Sequence, residues 1–421
     1  MELKKYKLGE LLDVKRGASL AGDYYATEGE YIRLTCGNFD YNNNCFKPNT
    51  SKDNIYYTGT VKPEFIMQKD DIITPLTEQA IGLLGSTAKV PESNKYIQSQ
   101  DVAKIICNEQ MLYPNFAFYL ISSENVKKQL SAAAQQTKIR HTSPDKIKDC
   151  VVWIPDLSSQ IKIGDLFSKI DSKIALNRRI NTKLETIAKR LYDYWFVQFD
   201  FPDANGNPYK SSGGKMVWND ALKREIPEGW EVKSIKEIAD TYSGGTPLST
   251  NSSYYENGTI PWINSGEVNE PIIVNTNNFI TELGLQNSSA KFYPKNTILV
   301  AMYGATAGKV SLLTFEATSN QAICGVISKQ NEITYYLFLL LSSLCNHYIK
   351  ISTGSARNNI SQEIVKQTMF CVPNEKTLLK FNNVVTPTFN HIVNLSKETA
   401  RLTALRDKLL PLLMNGQVEV A

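Results

Sequence analysis

YGATAGKV, residues 303–310, is echoed earlier in the chain by LLGSTAKV, residues 83–90. Thr87, Ala88, Lys89 and Val90 match Thr306, Ala307, Lys309 and Val310. At first sight the later stretch has the look of a nucleotide loop. A Walker loop needs four residues between its first glycine and the Gly-Lys pair, then Ser or Thr for magnesium. Only Ala305, Thr306 and Ala307 intervene here, and Val310 follows Lys309, so the spacing argues against nucleotide binding. The informative feature is the repetition, because a chain that repeats itself is built from repeated units.

The register of the repeat extends in both directions. LGELLDVKRG (8–17) lies over IKEIADTYSG (235–244), YIRLTCGNFD (31–40) over IPWINSGEVN (260–269), and FIMQKDDIIT (65–74) over FYPKNTILV (292–300). QSQDVAKI (98–105) matches SNQAICGV (319–326), and KIRHTSPDKIKDCVVWIP (138–155) matches ARNNISQEIVKQTMFCVP (356–373), with Ser143 over Ser361. Both copies consist of short apolar or β-branched runs broken by Gly, Asn, Pro and Thr, which predicts two mostly-β domains, 1–155 and 230–373. FAFYLISSENVKKQL (116–130) and YYLFLLLSSLCNHYI (335–349) have apolar residues at three- and four-residue spacing, and each is expected to be a helix.

A different texture follows each copy. Residues 156–200 and 374–416 each predict one long helix. Phe167, Ile174, Asn181, Ala188 and Trp195 recur every seven residues, as do Ile163, Ile170, Asn177, Leu184 and Leu191. The second helix repeats the pattern with Val385, Ile392, Thr399, Arg406 and Leu413, and with Phe381, Thr388, Leu395, Leu402 and Leu409. Matching seams predict that the helices pair, antiparallel, as a coiled coil, with Asn177 and Asn181 fixing the register. Pro387 interrupts the second pattern, so that helix is expected to kink or start late there. The fold class is therefore α+β: a tandem repeat of β domains, each followed by a long helix. Residues 201–229, rich in Gly, Pro, Asn and Ser, read as a linker with tight turns. Within it Asn207-Pro208-Tyr209 lacks the context of an amino-methyltransferase motif and reads as a turn.

Composition limits the function more weakly. The 421 residues carry a net charge of +4. Residues 1–155 hold 19 basic and 18 acidic side chains, and residues 230–373 hold 9 and 10, so charge alone does not point to nucleic acid. Seven dispersed cysteines without a CxxC pair read as reduced thiols of a cytoplasmic protein. The opening MELKKYKLGE has no apolar run, which argues against a secretory signal. ITYYLFLLLSSL (333–344) is too short to span a bilayer. No HExxH, GxSxG or AdoMet-type glycine loop is present, and Glu231-Val232-Lys233, with Asp220 upstream, only mimics a nuclease motif.

The ordered set GGTP (244–247), IPWINSGEV (260–268), YGATAGKV with the later NQAI (320–323), FPDANGNPYKSSGG (201–214) and IPEGW (226–230) resembles the specificity subunit of type I restriction–modification systems. The first copy departs from it: Ala18-Ser19 stands where Gly245-Thr246 does, and seven extra residues precede GSTAKV. The resemblance implies two target-recognition domains, each reading one half of a bipartite double-stranded DNA target, and helices that set the gap. A helix of forty residues is about 60 Å long, against about 34–36 Å for a duplex turn. It further implies a non-catalytic subunit without a cofactor of its own. Two modification (methyltransferase) subunits would carry S-adenosylmethionine, and restriction/translocase subunits would supply ATP- and Mg-dependent cleavage, with no membrane involved.

Base reading favours Arg or Lys for guanine and Asn or Gln for adenine. The candidate contacts are Lys138, Arg140 and His141 in the first copy and Arg357, Asn358 and Asn359 at the matched place in the second. Lys89 and Lys309, with Thr87 and Thr306, are candidates for phosphate, and Thr246 is a weaker one. Two rival functions are a non-DNA scaffold on a coiled-coil arm and an intrinsic nuclease or methylase.

Overall fold

Each copy opens with a strand, Lys4–Lys7 or Glu231–Ser234, then one helical turn feeding a second strand, and these turns and second strands fall at matched places in the sequence repeat. Leu8–Leu11 leads into Leu12–Arg16, and Ile235–Ile238 into Ala239–Ser243. The second turn is capped by Glu237, which accepts from both the N–H and the hydroxyl of Ser234 at 2.6 Å. The computed structural model describes residues 2–78, 82–133, 140–351 and 360–420. It divides into two compact units, Met1–Lys173 with Leu402–Ala421, and Ile174–Arg401.

In the first unit one sheet orders its strands Ala88–Lys89, Ile72–Pro75, Val102–Cys107, Leu12–Arg16. In the second unit the order is Ile272–Ile273, Val310–Leu313, Ile298–Ala301, Ile323–Ser328, Ala239–Ser243. The strands match in order, the second unit adding Ile272–Ile273 at the edge. Both units close with a two-stranded ladder, Lys4–Lys7 against Val151–Ile154 and Glu231–Ser234 against Met369–Val372. Apolar residues alternate inward along these strands, so Ile73, Ala88 and Val102 share one core with Leu34 and Phe39. Leu299, Ala301, Leu313 and Ile323 do the same in the second unit with Ile263 and Tyr293. The matched serines are both N-caps: Ser143 Oγ accepts from Lys146 N at 3.3 Å and Ser361 Oγ from Ile364 N at 3.2 Å.

Each expected helix over 116–130 and 335–349 is two helices. Pro114–Ile121 and Glu124–Ala133 break at Ser122-Ser123, and Thr334–Ser343 is followed by Cys345–Ile351. Ser122 and Ser342 donate to the carbonyls four residues back, Phe118 at 3.1 Å and Phe338 at 2.7 Å, competing with the helical ladder where each first helix ends.

The long helices run over Leu157–Tyr192 and Glu375–Met414. Phe167, Ile174, Ala188, Val385 and Ile392 on the proposed seams are buried, as is Asn177. In the second unit Asn177 Nδ2 donates to Glu398 Oε2 at 2.8 Å and Asn181 Nδ2 to Ser396 Oγ at 3.0 Å. In the first unit Arg406 Nη1 donates to Asp171 Oδ1 at 2.9 Å. As the first helix advances from 171 to 181, its partners fall from 406 to 396, which is antiparallel pairing. Pro387 does not delay the second helix, which begins a dozen residues earlier and continues through it. Its missing N–H leaves the Asn383 carbonyl without the usual intrahelical donor. Thr386 meanwhile returns its hydroxyl to Asn382 O at 2.6 Å.

The segment 201–229 is more than a linker. Met216–Asn219 and Arg224–Pro227 form a β-hairpin. Phe201 stacks between Tyr209 and Trp230, with ring centroids 4.6 and 4.8 Å away, and this group packs into one core with Trp195, Phe196, Tyr336 and Phe381. Asn207-Pro208-Tyr209 is a turn: Asp203 and Asn207 exchange hydrogen bonds, and Tyr209 N donates to Phe201 O at 3.0 Å.

Candidate nucleic-acid interface

At one end of the first unit's sheet, three segments are tied to a single residue. Leu76, just past the strand Ile72–Pro75, donates to Asp101 O at 2.8 Å and accepts from Thr142 N at 2.9 Å. Thr77 and Glu78 then pair antiparallel with His141 and Arg140. Beside them Ala18 N donates to Gln98 O at 3.1 Å, and Arg16 Nε to Gln100 O at 2.8 Å. The second unit repeats this arrangement around Met302, which donates to Ala322 O at 2.8 Å and accepts from Ile360 N at 2.9 Å. Gly245 N there donates to Ser319 O at 2.8 Å. The repeated glycines have a steric cause: a Cβ on Gly17 would strike the carbonyls of Gln98 and Ser99, and one on Gly244 those of Ser319 and Asn320. Each unit therefore presents a rim on one backbone plan with its own side chains.

The rim collects some of the expected residues and not others. Arg140 lies on it, its Nη1 2.9 Å from Ser131 Oγ and 3.6 Å from Glu78 Oε2. His141 is exposed, with Nδ1 3.4 Å from Thr77 Oγ1. Thr246 is exposed and hydrogen-bonds Gln321. Lys138, Arg357, Asn358 and Asn359 lie outside the described residues.

The echoed loops hold a different environment. Thr87 is fully buried: its hydroxyl donates to Phe118 O at 3.0 Å and its N–H to Asn44 Oδ1 at 2.8 Å. Thr306 is buried as well and donates to Ser265 O at 2.9 Å. Both hydroxyls shape their loops from within and present no surface to a phosphate, contrary to their placing as phosphate candidates. Lys89 is half-buried, donating to Asn115 Oδ1 at 2.6 Å over the Phe118 ring; burial lowers its pKa against the pull of Asp70, Asp171 and Asp165. Lys309 is exposed and donates to Asn269 Oδ1 at 2.9 Å. Gly304 and Gly308 flank this loop with φ of 76° and 80°, the left-handed region that favours glycine. Arg33 and Trp262, matched in the repeat, both pack: the Arg33 guanidinium lies 3.8 Å from the Tyr25 ring, and Trp262 Nε1 donates to Gly245 O at 2.9 Å.

The type I restriction modification DNA specificity domain matches residues 1–186 and again 227–378. The chain belongs to that family. Among specificity-domain proteins, it is 26% identical over 308 residues to the type I restriction enzyme MjaIX specificity subunit of Methanocaldococcus jannaschii, covering 72% of this chain and 69% of that one. It is also 26% identical over 377 residues to the HindI specificity subunit of Haemophilus influenzae, covering 77% and 82%. The fold is similar to the crystal structure of the type I restriction–modification S subunit from M. genitalium, with a TM-score of 0.61 over 98% of this chain and 96% of that one at 16% identity.

Glu78 lies two residues past Leu76 and Tyr303 one residue past Met302 on the two rims, and neither carries a local sequence signal. Gln321 had one, since it lies over Gln100 in the repeat. The mimic of a nuclease motif resolves into a strand: Lys233 pairs with Glu231 at 2.5 Å on the ladder to Met369–Val372. Among the described residues no three His, Cys, Asp or Glu side chains gather as a metal site, and no helix is long and apolar enough to cross a membrane.

Proposed function

We infer that this chain is the DNA sequence-specificity subunit of a type I restriction–modification complex. Residues 1–155 and 230–373 act as recognition domains, each reading one half of a bipartite double-stranded target. The long helices, 156–200 and 374–416, set the gap, and 201–229 joins the halves. The single observation that supports this most is the pair of rims, one backbone plan carrying different polar side chains. That is what two readers of different bases require, because base edges specify while the backbone only positions. Arg140, His141 and Thr246, with the segments carrying Lys138 and Arg357 to Asn359, are the proposed base contacts. Lys309 is the proposed phosphate contact, since its neutral, exposed partner Asn269 is readily displaced.

The chemistry belongs to partners. Two modification subunits dock on the stem and bring S-adenosylmethionine, and restriction subunits bring ATP- and Mg-dependent translocation and cleavage to DNA in the cytoplasm. The chain contributes target choice alone. Co-expressed with its modification subunits, it is expected to direct methylation of one split target, with salt-dependent binding. Methylation or cleavage by the isolated chain would instead favour an enzyme, and no DNA binding even with partners would favour a scaffold.

A further inference from the structure

We propose that Glu78 anchors Arg140 as the guanine-reading side chain of the first recognition domain. This deepens, and rests on, the DNA-reading function above.

The carboxylate of Glu78 is an unusual choice for a β-domain edge. Its side chain is only 5% exposed. Oε1 accepts the backbone N–H of Gly82 at 2.8 Å and of Leu84 at 3.4 Å. Oε2 is buried and makes no hydrogen bond among the described residues. A buried carboxylate oxygen left this way is costly unless a cation offsets it. The cation supplied is Arg140, which faces Glu78 directly across the antiparallel ladder with Nη1 3.6 Å from Oε2. Ser131 Oγ accepts from the same nitrogen at 2.9 Å. Among the described residues only that inner nitrogen is engaged, while the side chain stays 38% exposed.

A guanidinium pinned on one side presents its other edge at a fixed angle. Such an edge suits the two acceptors of guanine, O6 and N7, which Arg meets with parallel hydrogen bonds. A phosphate asks only for charge and would not need the anchor. The second domain lacks the device: the equivalent rim positions are Tyr303 and Gly304, and Asn358 stands where Arg140 does in the repeat. The anchored arginine therefore sets one guanine in the first half-site alone.

The test uses the full chain in complex with its modification subunits, methylating a DNA library randomised across both half-sites. The wild-type complex is expected to require guanine at one position of the first half-site. Arg140→Ala and Arg140→Lys are expected to weaken that preference about tenfold to a hundredfold and to leave every other position unchanged. Glu78→Gln is expected to weaken the same position by a smaller factor. Should Glu78→Gln fail to fold, the exposed Arg140 variants decide the matter. The proposal is overturned if a specific wild-type complex shows no guanine that Arg140 variants relax, or if those variants lower methylation equally at all positions. A wild-type complex without any sequence preference would instead strike the DNA-reading function itself.

Discussion

Asn177 of the first long helix donates to Glu398 of the second at 2.8 Å, one turn from where Asn181 reaches Ser396 at 3.0 Å. Their amide oxygens, and Thr399 Oγ1, are buried without a hydrogen-bond partner among the described residues. Polar layers of this kind lower stability while excluding other registers. Asn177→Leu is therefore expected to raise the melting midpoint, by the equivalent of about 1 kcal/mol. It should also produce higher oligomers, measured by light scattering. A variant that melts lower and stays homogeneous would contradict this account of the seam.

Asp171 is the point in the first unit where three elements meet. Tyr119 from the β domain donates its hydroxyl to Oδ2 at 2.6 Å, and Arg406 from the second long helix donates to Oδ1 at 2.9 Å. Arg406 is nearly buried, whereas Asp171 is partly solvated, so the cost of breaking the pair is reduced below that of a fully buried one. Arg406→Ala is expected to cost about 1–3 kcal/mol. Tyr119→Phe is expected to cost about 1–2 kcal/mol. Because both bind one carboxylate, the double variant should be non-additive in a denaturation cycle. Simple addition would mean that the three groups do not act together.

Glu185 gives the second unit a pH dependence. Burial, and then the neighbouring charge of Glu270, raise its pKa to about 7. A carboxyl raised above its ordinary value of 4.5 favours the folded state fully below that value. This contribution fades as pH rises toward about 7 and is absent above it. Glu185→Gln, which cannot ionise, is expected to flatten the fall in urea midpoint between acid and neutral pH. Parallel curves for variant and wild type would rule Glu185 out as its source.

Local signals carried most of the architecture. The correspondence of 8–17 with 235–244 was readable because the two copies repeat in sequence, and the seams because heptads are periodic, whereas the short helical turns Leu8–Leu11 and Ile235–Ile238 were not foreseen. Phe389 escaped the heptad reading: it is buried and stacked on Tyr335 at 4.3 Å, one residue beyond the seam position Thr388. A straight helix drifts from a seven-residue repeat, and beside Pro387 the buried stripe has moved on. The hairpin Met216–Asn219 with Arg224–Pro227 looked like linker because turn residues outnumber its short strands. Thr87 and Thr306 looked like surface hydroxyls because a Gly-rich loop reads alike whether its threonines face in or out. Glu78 left no trace, since its partner arrives from a distant strand.

The two lysines of the echoed loops, alike in sequence, should separate in solution. Lys89 is half-buried with its ammonium on Asn115, and burial lowers its pKa. Lys309 stands exposed, its ammonium donating to the neutral amide of Asn269. A lysine that touches phosphate releases counterions on binding, so its loss lowers the slope of log affinity against log salt by about one. Lys309→Ala, in the complex with modification subunits, is expected to show that decrease and to weaken binding alike on all sequences. Lys89→Met should leave the slope unchanged and instead cost about 1–2 kcal/mol of stability, because Asn115 Oδ1 loses its donor. Equal slope changes in both variants would place Lys89 on the DNA and defeat the distinction. An unchanged slope in Lys309→Ala would remove the loop from the interface.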